Sequence, residues 1–340
     1  MQWRGWRVAT TAALYGPGGF FHQPEGPVGH FRTSVSASPL FAAALLRLAV
    51  SVDEALGSPP VFDLVDVGAG RGELLVTLGG LADRTAPALA GRLRRTAVEL
   101  APRPRGLPSE IGWTAEIPPL HGLLVANEWL DDVPLDVVEM TGSGPRVVEV
   151  DATGAERPGA LPAPDDAAWL DRWWPLSEVG ARAEVGRPRD EAWAAAVRQV
   201  RRGLALAVDY SHGRLERAAG DHAAGTLVGY ADGRVRRPVP DGSCDITAHV
   251  ALDACAAAGA AAGATETLLT DQRLALPALG VHADSAPIEL ARSDPMAYLA
   301  ALSATGAVAE LTAARGLGGF GWLVQGVGIP LPAALSAAIG

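Results

Sequence analysis

The segment VFDLVDVGAGRGELLVTLGGL, residues 61–81, carries the clearest indication of the fold. Residues 61–67 form an apolar run of strand type, three glycines follow at alternate positions (Gly68, Gly70 and Gly72), and a run with helical spacing begins directly after them. Glycine is needed where the backbone turns sharply and where a ligand approaches it without a Cβ in the way. Strand, glycine turn and helix in this order are typical of the βα unit that binds a nucleoside-type ligand in a doubly wound sheet.

The spacing of the glycines indicates which cofactor the turn takes. Dinucleotide sites have the pattern GxGxxG, in which a helix N-terminus faces a pyrophosphate. Here the pattern is GxGxG, and Glu73 stands where the third glycine would be. A carboxylate there would repel a pyrophosphate, whereas S-adenosylmethionine has no phosphate and carries an ammonium and a sulfonium. The sequence therefore predicts S-adenosylmethionine and disfavours a nicotinamide-dependent oxidoreductase.

Two acidic residues accompany this turn. Asp66 stands at the end of the strand, where it can orient the turn or meet the ammonium group. Glu99 stands at the end of a second predicted strand, where an acidic residue of a dinucleotide fold accepts hydrogen bonds from ribose hydroxyls. The alternative is a structural βα turn beside a chance acidic residue. The expected cofactor contacts are Asp66, Gly68, Gly70, Gly72 and Glu99.

Strand and helix patterns alternate along much of the chain, which argues for a mostly parallel, doubly wound α/β sheet. The further predicted strands are 95–100, 111–115, 122–127, 204–210, 266–270 and a closing strand at 322–327. The predicted helices are 39–56, 190–202 and 248–261, with short helices before the closing strand.

The remaining segments suggest how the chain is divided. We expect an N-terminal helical cap over residues 1–59 and one domain over 60–340, with insertions near 137–189 and 211–246. The first insertion opens with a predicted hairpin (137–140 and 146–150), after which 151–168 has the composition of an exposed loop. Residues 211–246 show little apolar periodicity and are predicted as a long loop, which is uncommon unless functional or mobile.

Composition narrows the classes of function. The chain has 340 residues, 49% of them hydrophobic, and a net charge of 28 − 38 = −10. Such an acidic protein is a poor candidate for nucleic acids or anionic membranes, because both need phosphate neutralisation. No lysine occurs, which excludes a pyridoxal phosphate Schiff base and a P-loop.

Cysteine and histidine spacing predicts no metal centre. The two cysteines do not form a CxxC pair, and the seven histidines show no HExxH pattern. The N-terminal residues lack the unbroken apolar run of a signal peptide, so the cytoplasm is the expected compartment.

A second polar stretch, VANEWLDDVP at residues 125–134, follows the predicted strand 122–127. Asn127 and Glu128 would emerge at its carboxyl end, where ligands bind in open α/β sheets. If a helix begins here, Glu128 and Asp131 lie one turn apart and can both face a cationic acceptor such as a guanidinium. The alternative is an ordinary helix start, in which Asn caps the helix and acids such as Asp132 complement its dipole.

At this stretch the chain resembles a known family. ANEWLDDVP resembles the ANEFFDALP motif of the mitochondrial complex I assembly arginine methyltransferases and their bacterial MidA-like relatives. Other segments match that family in order along nearly the whole chain: ALYGPGGFF (13–21), GHFRTS (29–34), DVGAGRGEL (66–74), AVELAP (97–102), VDYSH (208–212), GTLVGY (225–230), PDGSCDITAHV (240–250) and FGWLVQ (320–325).

The resemblance implies a class I S-adenosylmethionine-dependent methyltransferase fold, with an antiparallel last strand, acting on arginine in a protein. By matching position it implies that the glycines of the turn and Glu99 bind the cofactor. It further implies that Asn127, Glu128 and Asp131 line the reaction centre, with Asn127 bridging acceptor and cofactor, and that Phe31 and Thr33 belong to a covering N-terminal loop.

The chain departs from the family's pattern at His30, Val228, Gly233 and Ala251. These positions lie outside the glycine turn, in segments suited to gripping a substrate. Two alternatives therefore stay open beside methylation of a protein side chain: a cofactor-binding assembly protein without turnover, and a methyltransferase of a small molecule. The expected partner is a protein substrate, and the oligomeric state, a homodimer included, is not determined by the sequence.

Overall fold

The computed structural model describes residues 2–22, 33–282, 288 and 290–337. The strands of this part are β1 (Arg4–Gly5), β2 (Phe62–Val67), β3 (Leu93–Val98), β4 (Ile111–Thr114), β5 (Leu120–Asn127), β6 (Val137–Thr141), β7 (Gly144–Val150), β8 (Glu156–Pro158), β9 (Arg182–Glu184), β10 (Val200–Asp209), β11 (Val228–Ala231), β12 (Arg234–Arg236), β13 (Asp245–Thr247), β14 (Glu266–Asp271) and β15 (Gly321–Val327).

The helices of the same residues are α1 (Trp6–Tyr15), α2 (Ser34–Ala37), α3 (Pro39–Leu56), α4 (Glu73–Thr85), α5 (Pro87–Ala90), α6 (Pro164–Trp173), α7 (Arg187–Gln199), α8 (Arg214–Ala219), α9 (Leu252–Ala261), α10 (Gln272–Ala278), α11 (Leu290–Ser293), α12 (Pro295–Thr312) and α13 (Ala333–Ala337). None of these helices combines the length and the apolar character needed to cross a membrane.

The described residues divide into two compact units. The first unit takes its residues from 1–31, 128–198 and 209–263, and the second takes its residues from 32–127, 199–208 and 264–340. The predicted division into a cap over 1–59 and a domain over 60–340 stays a prediction.

The second unit contains the predicted α/β sheet. Its seven strands have the order β14-β15-β10-β5-β2-β3-β4, and the pairs from β10 to β4 are parallel. The last strand, β15, pairs antiparallel with β14. Every residue of β2 is buried, as expected for a parallel strand with both faces covered. The prediction of a mostly parallel doubly wound sheet is confirmed.

The strand register brings three chain segments to one edge of this sheet. Val67 at the end of β2 pairs with Val98 of β3 and with Ala126 of β5. In turn, Asn127 pairs with Val208 of β10. The carboxyl ends of β2, β3, β5 and β10 therefore lie at the same edge, where ligands bind in folds of this class.

Helix α3 has the boundaries that its sequence predicts. The Oγ of Ser38 accepts the N–H of Leu40, and Pro39 occupies the first turn, where its missing N–H costs nothing. Gly57 ends the helix in the left-handed conformation with a φ of 79°.

The first unit is built on two smaller sheets. One contains β1, β7, β6 and β9 in that order, with β8 paired to β7, and the other contains β12, β11 and β13. The predicted hairpin is β6 with β7. Apolar side chains from α1 and from both sheets form its core, among them Trp6, Leu14, Val148, Val150 and Ile246.

Several local predictions are wrong. Residues 151–168, expected to be an exposed loop, contain β8 and the start of α6, in which Trp169 and Leu170 are buried. The segment 211–246, predicted as a loop, contains α8, β11 and β12 and ends in β13. Its strands are three or four residues long, too short to show an alternating pattern. No helix begins at residues 128–134, which form turns.

Candidate functional site

The glycine turn of the second unit has the backbone that its sequence predicts. Gly68, Gly70 and Gly72 have φ angles of 71°, 56° and 80°, a region that residues with a Cβ adopt at a cost. No described atom lies within 4 Å of the position that a Cβ of Gly70 would take. The turn is thus open at Gly70, where a ligand can approach the backbone.

Glu99 is bound to this turn. Its Oε2 accepts the N–H of Gly70 at 3.0 Å, and its Oε1 accepts the N–H of Ala101 at 3.0 Å. A carboxylate can accept about four hydrogen bonds, so both oxygens keep acceptor capacity for a ligand hydroxyl. The contact with ribose stays a prediction, and the structure adds that Glu99 shapes the turn itself.

Asp66 is buried beneath the turn. Burial, together with the charges of Glu99 and Glu73, raises the pKa of its carboxyl to about 8. Three carboxyls around one glycine turn create a site that repels a pyrophosphate and attracts a cation. The residues present therefore fit S-adenosylmethionine, whose ammonium and sulfonium would lower this electrostatic cost.

Of the two residues predicted to belong to a covering loop, Phe31 and Thr33, the structure describes Thr33. Phe31 lies outside the described residues, as does His30. Thr33 directly precedes α2, its carbonyl oxygen accepts the N–H of Ala37, and α2 lies against α4, the helix that follows the glycine turn. The role of Thr33 in cofactor binding stays a prediction.

The acidic stretch leaves β5 as an irregular turn. Asn127 is the last residue of that strand and is buried. Glu128, which begins the contribution of this stretch to the first unit, has a φ of 52°, in the left-handed region that side chains other than glycine rarely adopt. The expectation that Glu128 and Asp131 are one helical turn apart is therefore wrong, because no helix forms here. Backbone strain of this kind concentrates at functional sites.

Four aspartates of the first unit form an acidic cluster: Asp131, Asp132, Asp209 and Asp245. Burial raises the pKa of each carboxyl, that of Asp245 to about 7, and the charge of Asp131 contributes to the raised pKa values of the other three. In every one of them Oδ1 is buried and has no hydrogen-bond partner within the described residues. Asp132 thus belongs to this cluster, and its predicted place as a helix-start acid is wrong because no helix begins here.

Arg189 supplies positive charge to this cluster without forming an ion pair with any described carboxylate. It is buried, and its guanidinium donates to four backbone carbonyls, those of Asp131, Val133, Ala248 and His249. Its charge lowers the pKa values of the nearby aspartates, against the larger effect of burial. Because the N–H groups of Arg189 donate to backbone carbonyls, this guanidinium leaves the carboxyl oxygens of the acidic cluster without a cationic hydrogen-bond donor among the described residues.

Two hydrogen bonds fix the position of Asp131. Its Oδ2 accepts the hydroxyl of Thr247 at 2.7 Å, and its backbone N–H donates to Oδ2 of Asp209 at 3.2 Å. The same Asp209 oxygen accepts the N–H of Leu130 at 2.9 Å. Side chains from β10 and β13 therefore hold the turn that follows Glu128.

Three histidines and a tyrosine adjoin this region of the first unit. The rings of Tyr210 and His249 stack with their centroids 5.9 Å apart. The ring centroids of His212 and His222 are 4.9 Å apart. Burial, followed by the charge of Arg217, lowers the pKa of His212 to about 2, so its ring is neutral. Among the described residues no group of histidine, cysteine and acidic side chains has an arrangement that could hold a metal ion. His249 follows strand β13, and the helix predicted over 248–261 begins only after it, at Leu252.

Sequence reasoning assigned no role to Asp209, Arg189, Asp245 or Thr247. Asp209 carried a usable signal, since it ends the predicted apolar strand LALAVDY in the same way that Asn127 ends GLLVAN. Arg189 carried none, because nothing in RPRD distinguishes a buried arginine from a solvated one at a helix start. Asp245 and Thr247 lie on a three-residue strand within the segment predicted as a loop.

Each unit by itself carries side chains suited to one part of a displacement at a methyl group. The second unit offers a glycine turn ringed by carboxyls, and the first offers buried carboxylates with unused acceptor atoms. Carboxyls with raised pKa values near neutrality can also accept a proton.

Comparison with known proteins agrees with this chemistry. Residues 44–269 match the model of a family described as "Putative S-adenosyl-L-methionine-dependent methyltransferase". No match was found among curated proteins.

Two solved structures are similar over nearly the full chain. A Burkholderia thailandensis protein described as a "likely methyl transferase", bound to S-adenosyl-homocysteine, has 26% identity and a TM-score of 0.81 over 98% of this chain and 90% of that one. A native structure of an uncharacterized protein of the same superfamily from that organism has 26% identity and a TM-score of 0.77 over the same shares. The chain therefore belongs to this family of S-adenosylmethionine-dependent methyltransferases, and it is an enzyme with the class I fold.

Proposed function

We propose that the enzyme methylates a protein side chain, and that this side chain is arginine. The observation that carries the proposal is the under-compensated acidic cluster of the first unit. The Oδ1 atoms of its aspartates are buried and have no hydrogen-bond partner among the described residues. The guanidinium of Arg189 donates to backbone carbonyls. A second guanidinium, with its five N–H donors in a planar fork, is the side chain that complements such acceptors best.

Each residue of the acidic stretch has a role in this proposal. Glu128 and Asp131 accept hydrogen bonds from the acceptor guanidinium and fix its orientation. Asn127, one residue earlier in the chain, bridges the acceptor and the cofactor. The bound cofactor supplies an activated methyl group on its sulfonium, so the protein contributes alignment and a proton acceptor.

The proton has a place to go. Methylated guanidinium and its precursor carry the same charge, so each transfer releases one proton. The Asp245 carboxyl, whose pKa is raised to about 7, is poised to accept it near neutral pH.

The family resemblance supports the same acceptor. The matched segments ANEWLDDVP and VDYSH contain Glu128, Asp131 and Asp209. Two of the departures from the family's pattern have simple structural places: Gly233 has a φ of 68°, and Ala251 is buried before α9.

Transfer of a labelled methyl group from S-adenosylmethionine into a lysate tests the proposal. Wild type is compared with Glu128→Gln and with Glu178→Gln, which changes an exposed glutamate of the same unit. We expect the first variant to lose about 100-fold in transfer rate, in the range of one well-placed catalytic contact, and the control to keep the wild-type rate. Equal rates for all three proteins would show that Glu128 has no such role.

Acid hydrolysis of the labelled protein fraction then identifies the acceptor. Label in methylarginine is the expected result. Label in another methylated amino acid would overturn the arginine assignment, and label confined to the small-molecule fraction would overturn the protein substrate as well.

A further inference from the structure

The turn after Glu128 is held at its amide groups by a carboxylate from another part of the chain. Oδ2 of Asp209 accepts the N–H of Leu130 at 2.9 Å and the N–H of Asp131 at 3.2 Å. Asp209 is 0% exposed and stands 79 and 78 residues further along the chain. Hydrogen bonds in such a buried place, where water does not compete for the donors, fix the backbone that makes them.

The carbonyl groups of the same turn are held as well. Arg189 donates to the backbone oxygens of Asp131 and Val133. Asp209 thus accepts hydrogen bonds from two N–H groups of residues 130–133, and Arg189 donates hydrogen bonds to two carbonyl groups of the same residues. The turn is therefore held by a carboxyl group and a guanidinium group from other parts of the chain.

This pinning bears directly on Glu128. Its φ of 52° lies in a sparsely populated region, which persists where the surrounding structure over-determines it. Asp209 binds the amides two and three residues later, and the Glu128 carboxylate is close enough to raise the pKa of Asp209. The backbone is therefore fixed on both sides of Glu128: strand β5 precedes it, and the hydrogen bonds to Asp209 hold the residues that follow it.

We propose that Asp209 is a positioning residue for methyl transfer, which sets Glu128 and Asp131 in the orientation that the acceptor requires. This role presupposes the acceptor site proposed above. Asp209 acts through the backbone, so its acceptor oxygen matters more than its charge. Asparagine keeps a carbonyl oxygen for the two N–H groups, whereas alanine keeps none.

Asp209→Asn and Asp209→Ala are compared in the label-transfer assay, with the concentration of S-adenosylmethionine varied. We expect Asp209→Ala to lower the maximal rate about 100-fold, the cost of a misplacement of about 1 Å. Asp209→Asn should restore the rate to within about threefold of wild type. The KM for S-adenosylmethionine should change little in either variant, because the hydrogen bonds of Asp209 go to Leu130 and Asp131.

Asp151→Ala provides the matched control. Asp151 is a buried aspartate of the same unit, and its Oδ1 accepts the N–H groups of Thr153 and Ala155 at 2.8 and 3.1 Å. Its removal also frees two amides of a turn, so it reproduces the structural loss. We expect it to lower thermal stability without lowering the transfer rate per folded molecule.

Amide hydrogen exchange supplies a readout that does not depend on methyl transfer. In Asp209→Ala the amides of Leu130 and Asp131 should exchange faster, and in Asp209→Asn they should stay protected. Protected amides in the alanine variant, or a wild-type transfer rate in it, would overturn the positioning role. Equal losses of transfer rate in Asp209→Ala and Asp151→Ala would show that Asp209 only stabilises the fold and does not position Glu128 and Asp131. A failure of the proposed function is visible separately, as absence of label transfer by wild type.

Discussion

The hydroxyl of Thr247 donates to Oδ2 of Asp131 at 2.7 Å, across 116 residues of chain, and both residues are buried. Burial raises the pKa of Asp131, and this hydrogen bond is the largest influence that lowers it. A hydrogen bond to a charged group favours the ionised form. Thr247 therefore helps Asp131 to stay a carboxylate, the form that a cationic acceptor requires.

Thr247→Val removes this hydroxyl and keeps the shape of the side chain. We expect the label-transfer rate to fall about tenfold or more, because a hydrogen bond to a charged group contributes about 1.5–3 kcal/mol. Thr247→Ser keeps the donor and should keep most of the rate. A valine variant as fast as the serine variant would show that Asp131 needs no help from this hydroxyl.

The open glycine turn predicts that a substitution at Gly70 weakens cofactor binding in addition to its effect on stability. Gly70 and Gly57 have φ angles of 56° and 79°, and no described atom lies within 4 Å of a Cβ built at either. Alanine at each should therefore lower the free energy of unfolding by a similar amount, about 1 kcal/mol.

Only Gly70→Ala should also weaken binding of S-adenosylhomocysteine, measured by titration calorimetry, because its methyl group enters the space that the cofactor needs. Gly57, at the end of α3, provides the control. Equal affinities in the two variants would place the cofactor away from this turn.

Much of the second unit could be predicted from the sequence, because its signals are local. An apolar run of strand length, a glycine turn and the spacing of α3 are each visible within about twenty residues, and the observed boundaries of α3 coincide with the predicted ones. The cofactor follows from the same stretch, since Glu73 and the spacing of the glycines already argue against a pyrophosphate.

The acidic cluster could be predicted only in part, because its contacts join distant segments. Asp131 meets Thr247 and Asp209 across 116 and 78 residues, and Arg189 reaches carbonyls up to 60 residues away. The helix expected at Glu128 fails for the same reason. The backbone hydrogen bonds that a helix would satisfy locally are made here by distant side chains.

Arg189 should be one of the residues most costly to replace. In Arg189→Met the acidic cluster loses its cation and four carbonyls lose their donor. We expect the free energy of unfolding to fall by about 3–5 kcal/mol, measured with urea.

Arg273→Met is the control for that measurement. The Arg273 side chain is 45% exposed and pairs with Asp271 at 2.6 Å. An exposed pair of this kind contributes about 0–1 kcal/mol, so this variant should remain close to wild type. A similar small loss for Arg189→Met would mean that water replaces the guanidinium at those carbonyls.

The raised pKa of Asp66 predicts how stability and cofactor affinity depend on pH. The folded protein holds the proton of this carboxyl up to about pH 8, whereas the unfolded chain releases it near 3.8. Between these values the folded state binds more protons, so this group's contribution to stability is lost as the pH rises, by up to about 1.4 kcal/mol per pH unit. Asp66→Asn should remove that slope.

Cofactor affinity should depend on pH in the opposite sense, because a cationic ligand favours the ionised carboxyl. From pH 6 to pH 8 we expect wild type to bind S-adenosylhomocysteine with increasing affinity, by up to about tenfold per pH unit. Asp66→Asn should bind more weakly at pH 8 and show no such rise. Asp83→Asn, an exposed aspartate of α4, serves as the control and should follow wild type. If wild type and Asp66→Asn have parallel pH profiles, Asp66 does not meet the ammonium group and serves only to shape the turn.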